Sequence, residues 1–303
     1  MRFCLNCRAS LTPKSAYDLT VNDFAYKPDL DAITMMNSTG PLPYVLKNLT
    51  IANLENTMIS KLLAVGQRVT YPCELDTMIR DCAVSLSIEH LPEAFITEDA
   101  ELNAFTFGSE DHAYLVVDAS LLKALTLLEL RAVIAHELGH VKSGHMLYHT
   151  LAEALARGIN LSSSLMGLSA LSIPVNLALL SWHRQSEVTA DRASLLIVND
   201  IKVLESILTK LSSVRGTAPI RQLDVSSTGM LETVTGLFRT HPAHTDRLKL
   251  ARQFMGSQEF SRAKRKIELR RSLLGGLAST CRFCEASKPV EDLFCPKCGR
   301  CQI

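Results

Sequence analysis

From Leu121 to Val141 the chain contains no proline and is rich in Leu, Ala and Glu. Apolar residues Leu127, Leu130, Val133, Ile134, Leu138 and Val141 recur at helical spacing, which predicts an amphipathic helix with one buried face. Thr126 before Glu129 reads as a capping box, and Ser143-Gly144 predicts that the helix ends or bends just after His140. This helix carries His136-Glu-Leu-Gly-His140. Two imidazoles one turn apart project from the same face and can hold one Zn²⁺, with Glu137 beside them to take a proton from water.

A catalytic zinc site needs a third protein ligand and leaves a fourth position to water. The extended frame His-Glu-x-x-His-x-x-Gly-x-x-His fails here, because it falls on Ser143 and Met146. His145 would point to the opposite side of a continuous helix and reads as an exposed or capping residue. The other source is a second helix, residues 182–198, where Glu187 and Asp191 lie at i and i+4 in an Ala/Leu-rich setting. Two acids facing a core are costly unless paired or metal-bound. One assignment makes Glu187 the third ligand and Asp191 the acceptor that orients a ligand imidazole. Ordinary exposed ion pairs among Arg184, Glu187, Asp191 and Arg192 are the other, and spacing leaves both open.

The 303 residues suit one substantial domain with accessories; a net charge of +1 excludes a whole-molecule electrostatic nucleic-acid binder, so no nucleic-acid partner is expected. No apolar leader follows Met1, and the cysteines fall mainly in Cys-x-x-Cys pairs, which suits metal thiolates in a reducing compartment. Cytoplasm is the expected location. Residues 159–180 are uncharged and long enough on paper to cross a bilayer, but their serines, asparagines and Pro174 favour a buried or docking helical pair. Membrane association through this segment stays a second possibility.

Cys281-x-x-Cys284 and Cys295-x-x-Cys298 have the spacing of a tetrahedral Cys₄ zinc site, and predict a zinc ribbon able to recruit a protein partner. Cys4-x-x-Cys7 is a half-site, while Cys73 and Cys82 read as half-buried thiols. Residues 1–43 look irregular, and helices are predicted over 44–67, 77–87, 147–157, 202–213 and 244–255. Residues 94–97 and 113–117 are strand-like. The basic run from Arg262 to Arg271 reads as a solvated helix face, or else a contact for anionic lipid or nucleic acid, before a linker at Leu273-Leu274-Gly275-Gly276.

Four ordered motifs now resemble the HtpX-type zinc metallopeptidases, relatives of the CAAX prenyl proteases. They are Asn103-Ala-Phe-x-x-Gly108, Glu129 through His140, Arg184-x-x-Glu187-x-x-Ala190-Asp191, and Thr240-His241-Pro242 followed by Arg247. The resemblance implies a mainly α gluzincin-like α+β fold with a small β-sheet edging the active-site cleft. It implies a peptidase domain over 44–260, to which the basic run and the cysteine spacing add a basic helix and linker over 261–277 and the ribbon over 278–303. Two zinc ions are expected, one catalytic on His136, His140 and Glu187, one structural on Cys281, Cys284, Cys295 and Cys298. Glu137 would be the general base of a metalloendopeptidase acting on polypeptide, in a setting such as protein quality control. By the same resemblance, His241 or Arg247 would donate to the oxyanion or brace the site; otherwise His241 is a loop residue before Pro242. Asn103, Ala104 and Phe105 would pair with the substrate backbone; otherwise they form a turn, with Phe105 in the core. Rival expectations are a membrane-associated protease of the same type and a non-catalytic zinc-binding interaction module.

Overall fold

The computed structural model describes residues 2–38, 51–98, 104–108, 112–146, 148, 172–215, 244–276, 278–280, 284 and 287–289. The helices in chain order are α1 (Lys27–Ser38), α2 (Ile51–Val65), α3 (Glu74–Ser85), α4 (Ala119–Ala124), α5 (Leu127–Lys142), α6 (Ser172–Val198), α7 (Ile201–Arg215), α8 (His244–Met255) and α9 (Gln258–Gly276). The strands are β1 (Gln67–Arg68), β2 (Glu93–Thr97), β3 (Ala104–Gly108), β4 (Ala113–Asp118), β5 (Ala278–Thr280) and β6 (Ser287–Pro289). The architecture is mainly helical, with a four-stranded sheet ordered β1-β2-β4-β3. Strand β4 pairs parallel with β2 and antiparallel with β3, so β3 lies at the edge.

Period-two alternation divides the sheet into two faces. Ala94, Leu115 and Val117 join the main core with Leu130, Ile134 and Leu138 of α5. Phe95, Phe107 and Val116 pack instead with Leu62 of α2. Helix α5 is therefore central, and the burial of Ile134 and Leu138, both fully enclosed, stabilises it by about 1.5–3 kcal/mol each.

The N-terminus of α5 is capped as its sequence predicts. The Thr126 backbone N–H and hydroxyl donate to Glu129 Oε2 at 2.7 and 2.9 Å, and the Glu129 N–H donates to Thr126 Oγ1 at 3.3 Å. The same carboxylate ties α7 to α5, accepting from Ser206 Oγ at 2.6 Å and Lys210 Nζ at 2.7 Å. Burial pushes its pKa up, but Lys210, Ser206 and Thr126 outweigh that and hold it at about 2. A folded pKa below the unfolded one contributes stability that is present above the ordinary glutamate range and lost as pH falls toward 2. With screening at the half-exposed Lys210, this amounts to about 2 kcal/mol. Urea unfolding of Glu129→Gln from pH 5 to pH 2 should show a correspondingly smaller acid loss than the wild type; identical slopes would exclude this anchor.

Several elements differ from the sequence expectations. The predicted single helix from Leu121 is broken at Leu125, where the chain turns extended before the Thr126 cap. Helix α6 begins ten residues earlier than Trp182, at Ser172, with Pro174 in its first turn, where the missing N–H has no intrahelical partner to lose. Residues 147–157 and 159–171 lie outside the described residues apart from Tyr148. Among the described residues no helix is long and apolar enough to cross a membrane.

The N-terminal segment is not irregular throughout. It contains α1, and it buries Phe3, Leu19 and Phe24 in the main core. The basic run explains how that segment is held, and it corrects the expectation of a solvated face. Lys266 pairs with Asp23 at 2.7 Å, while Arg270 donates to Asp18 at 2.6 Å, to Thr12 Oγ1 at 3.0 Å and to the Val84 carbonyl at 2.5 Å. Of the six basic residues in the run, Arg262, Arg265 and Arg271 keep the expected exposed character, Arg271 also donating to Ser85 Oγ at 2.8 Å. Helix α9 continues through the expected linker, and Leu274 is buried in the core.

Candidate metal centre

The centre lies where α5 crosses α6, and a glycine allows the crossing. A methyl group added at Gly139 would stand 2.7 Å from Ala193 Cβ and 3.2 Å from Ala190 Cα, so any larger residue forces the helices apart. With the helices in contact, potential ligand atoms of His136, His140 and Glu187 all lie within 4.8 Å of one another. His136 Nε2 is 3.7 Å from Glu187 Oε2, and His140 Nε2 is 3.4 Å from Glu187 Oε1. The two imidazoles are nearly perpendicular, with ring centroids 5.0 Å apart. His140 and Glu187 are buried, whereas His136 is partly exposed and marks the open side.

The surrounding groups hold these three in place. Asp191, one turn beyond Glu187, sits 3.1 Å from His136 Nδ1. Accepting that proton leaves the Nε2 lone pair directed at Glu187 and the point between the rings. Arg247 of α8 donates to both oxygens of Asp191 at 2.7 Å, and its third nitrogen is 3.0 Å from Glu187 Oε2. The guanidinium is thus committed to the two carboxylates from α6, as a brace. Burial pushes the Asp191 pKa up, but Arg247 and His136 outweigh it and hold the carboxyl low. Burial pushes His136 down, while Asp191, Glu187 and Glu137 turn the net shift upward. Buried Arg247, facing the same acids, is raised overall.

Glu137 is buried and accepts a hydrogen bond from the Thr106 hydroxyl at 3.1 Å. Sequence reasoning missed Thr106. Its signal was the alternation in Ala104-Phe-Thr-Phe107, which puts Thr106 on the face opposite the two phenylalanines. Ala104 and Phe105 open edge strand β3, opposite Val117 and Val116. Asn103 and His241 lie outside the described residues, as do Cys281, Cys295 and Cys298. Cys284 lies in the connection between β5 and β6, which pair antiparallel from Ala278↔Pro289 to Thr280↔Ser287.

The other cysteines carry no described centre. Cys4 and Cys7 sit in a tight turn closed by the Cys4 N–H to Ala9 carbonyl bond of 2.9 Å, and among the described residues no third metal-capable group joins them. Cys73 is exposed and caps α3, its sulfur accepting from the Asp76 N–H at 3.3 Å. Burial pushes the Cys82 thiol up to about 12, so it behaves as an apolar core residue. His145 also departs from expectation: it is buried against His140, because the helix stops at Lys142 and Gly144 turns the chain back at φ 69°.

Several known proteins are similar in sequence to this chain. A plastoglobule-localized metallopeptidase 48 of Arabidopsis thaliana chloroplasts is 34% identical over 213 residues, covering 68% of this chain and 60% of the relative. The chain thus spans about three fifths of that relative's length. A protease HtpX homolog of Streptococcus equi subsp. equi is 29% identical over 209 residues, covering 57% of this chain and 70% of the relative. One from Campylobacter curvus is 26% identical over 190 residues, with 52% and 66% covered. The model of peptidase family M48 matches residues 73–254, a stretch that contains Thr106, the α5 and α6 residues of the centre and Arg247. Since that match takes in most of the chain and all of those groups, the chain belongs to peptidase family M48.

Proposed function

We propose that the chain is a zinc-dependent metalloendopeptidase, with His136, His140 and Glu187 as the zinc ligands and Glu137 as general base. The convergence of those three donor groups beside a buried, oriented Glu137 carries the reading. Two imidazoles and one carboxylate are a donor set that suits zinc and leaves a fourth position to water. Zinc bound there supplies a Lewis acid for the peptide carbonyl and lowers the pKa of a water molecule.

The remaining chemistry belongs to the chain's own residues. Glu137 accepts the proton of the attacking water and returns it to the leaving amine. The Thr106 hydroxyl keeps the Glu137 carboxylate turned to the cleft. Asp191 holds the His136 ring, and Arg247 braces Asp191 and Glu187. With the Arg247 donors committed, the donor to the developing oxyanion is His241. Edge strand β3, at Ala104 and Phe105, receives the substrate backbone as an added strand, with Asn103 proposed to share that role.

The ribbon at Cys281, Cys284, Cys295 and Cys298 is proposed to hold a second, structural zinc and to recruit a partner. The setting proposed is cytoplasmic protein quality control, which the Cys-x-x-Cys pairs support by requiring reduced thiols. The test is metal removal. Chelation should abolish cleavage of unfolded casein, zinc should restore it, and metal analysis should find about two ions per chain. Cleavage that survives complete removal of metal would sink the assignment.

A further inference from the structure

The turn after α5 brings His145 back onto His140. The His145 N–H donates to the His140 carbonyl at 3.1 Å, and the two Nδ1 atoms stand 3.0 Å apart. On its other side, His145 Nε2 is 3.0 Å from Oδ2 of Asp29 in α1. The same oxygen accepts the Thr189 hydroxyl at 2.5 Å, and Thr189 Oγ1 accepts the Tyr26 N–H at 3.0 Å. His145 and Asp29 are 1% and 0% exposed, so water does not compete for these bonds.

The direction of every bond follows from the far end. The Tyr26 N–H can only donate, so Thr189 accepts it and turns its single hydrogen to Asp29. The carboxylate accepts, so His145 donates through Nε2 and, as a neutral imidazole, carries its lone pair on Nδ1. His140 must then donate through Nδ1, which leaves its Nε2 lone pair facing Glu187. That is the tautomer a metal ligand requires.

We propose that Asp29 and His145 are positioning residues that fix the tautomer and ring orientation of His140 for the metal. This rests on the reading of His136, His140 and Glu187 as ligands. A second observation supports it independently of hydrogen-bond direction. Asp29 is a fully buried carboxylate that no Lys or Arg pairs with among the described residues, and its Oδ1 has no partner there. An uncompensated charge of this kind is costly, and the chain through His145 links it to the cation site. Asp29 also lies outside residues 73–254, so an element beyond the matched family region reaches into the centre. Helix α9 secures the segment leading into α1 through Lys266 and Asp23 and through Arg270 and Asp18.

The experiment uses the full chain and measures zinc affinity by competition with a chelator, together with the visible spectrum of the cobalt-substituted protein. His145→Phe keeps a ring against Trp182, whose centroid is 5.4 Å away, but has no acceptor for His140. Its zinc dissociation constant should rise about 10–100-fold, with a changed cobalt spectrum. Asp29→Asn, nearly isosteric and uncharged, should weaken zinc in the wild-type background and have no further effect in His145→Phe. It also serves as the test if His145→Phe does not fold. Unchanged zinc affinity in the folded single variants overturns the proposal, as does an equal effect of Asp29→Asn with and without His145. A wild-type chain that binds no zinc overturns the ligand reading beneath it.

Discussion

Replacing Glu137 by glutamine is expected to cut kcat for an unfolded protein substrate by about 10³-fold while leaving the zinc content unchanged. The two side chains have the same shape, and the glutamine oxygen can still accept from Thr106, which now bonds Glu137 at 3.1 Å. Folding should therefore survive. The amide cannot take the proton from water, and Glu137 is not among the three groups that converge on the metal point. The decisive comparison pairs zinc analysis with casein cleavage by purified wild-type and variant chains. Equal cleavage by both forms would remove Glu137 from the chemistry. Cleavage absent from both, with zinc bound, would favour the non-catalytic interaction module. Thr106→Val is a companion with a smaller expected effect, since it removes the orienting bond and keeps the base.

Arg247→Ala should be the most damaging single change to stability, costing about 3–5 kcal/mol in the metal-free protein at neutral pH. The guanidinium is buried and bonds both oxygens of Asp191 at 2.7 Å and one of Glu187 at 3.0 Å. Its removal strands two carboxylates that α6 cannot turn to solvent. The pH dependence should change sign as well. In the wild type the Asp191 pKa is held low against its burial by Arg247 and His136, so its stability is present above the ordinary aspartate range and lost as pH falls. Without Arg247 the main group opposing burial is gone and the carboxyl is expected to titrate higher, so protonation stabilises the variant as pH falls toward that range from above. Urea unfolding of both chains between pH 7 and pH 4 measures this. A loss under about 1 kcal/mol, or parallel pH slopes, would show that Arg247 is not the brace.

The parts of the centre legible in sequence are the ones made by a single helix. His136 and His140, and separately Glu187 and Asp191, share a face because four residues span about one turn wherever such a helix lies. Thr126 and Glu129 cap α5 by the same local logic. His145 was misread because that logic assumed a continuous helix, and a single left-handed residue, Gly144, redirects the chain. The basic run was misread because its partners Asp18, Asp23 and Thr12 are at the opposite end of the sequence.

What the sequence by itself determined, then, is the chemistry on offer: two imidazoles, a base, a second helix with paired acids, and a family resemblance that the match over residues 73–254 bears out. Only the tertiary structure decided how those groups are held. Gly139 sets the closeness of α5 and α6, the register of β3 on β4 sets Thr106 against Glu137, and the docking of α1 brings Asp29 to His145. The physical reason is one of range. Helical periodicity is fixed by backbone hydrogen bonds four residues apart, whereas contacts between elements depend on how distant apolar faces pack, which no local spacing records.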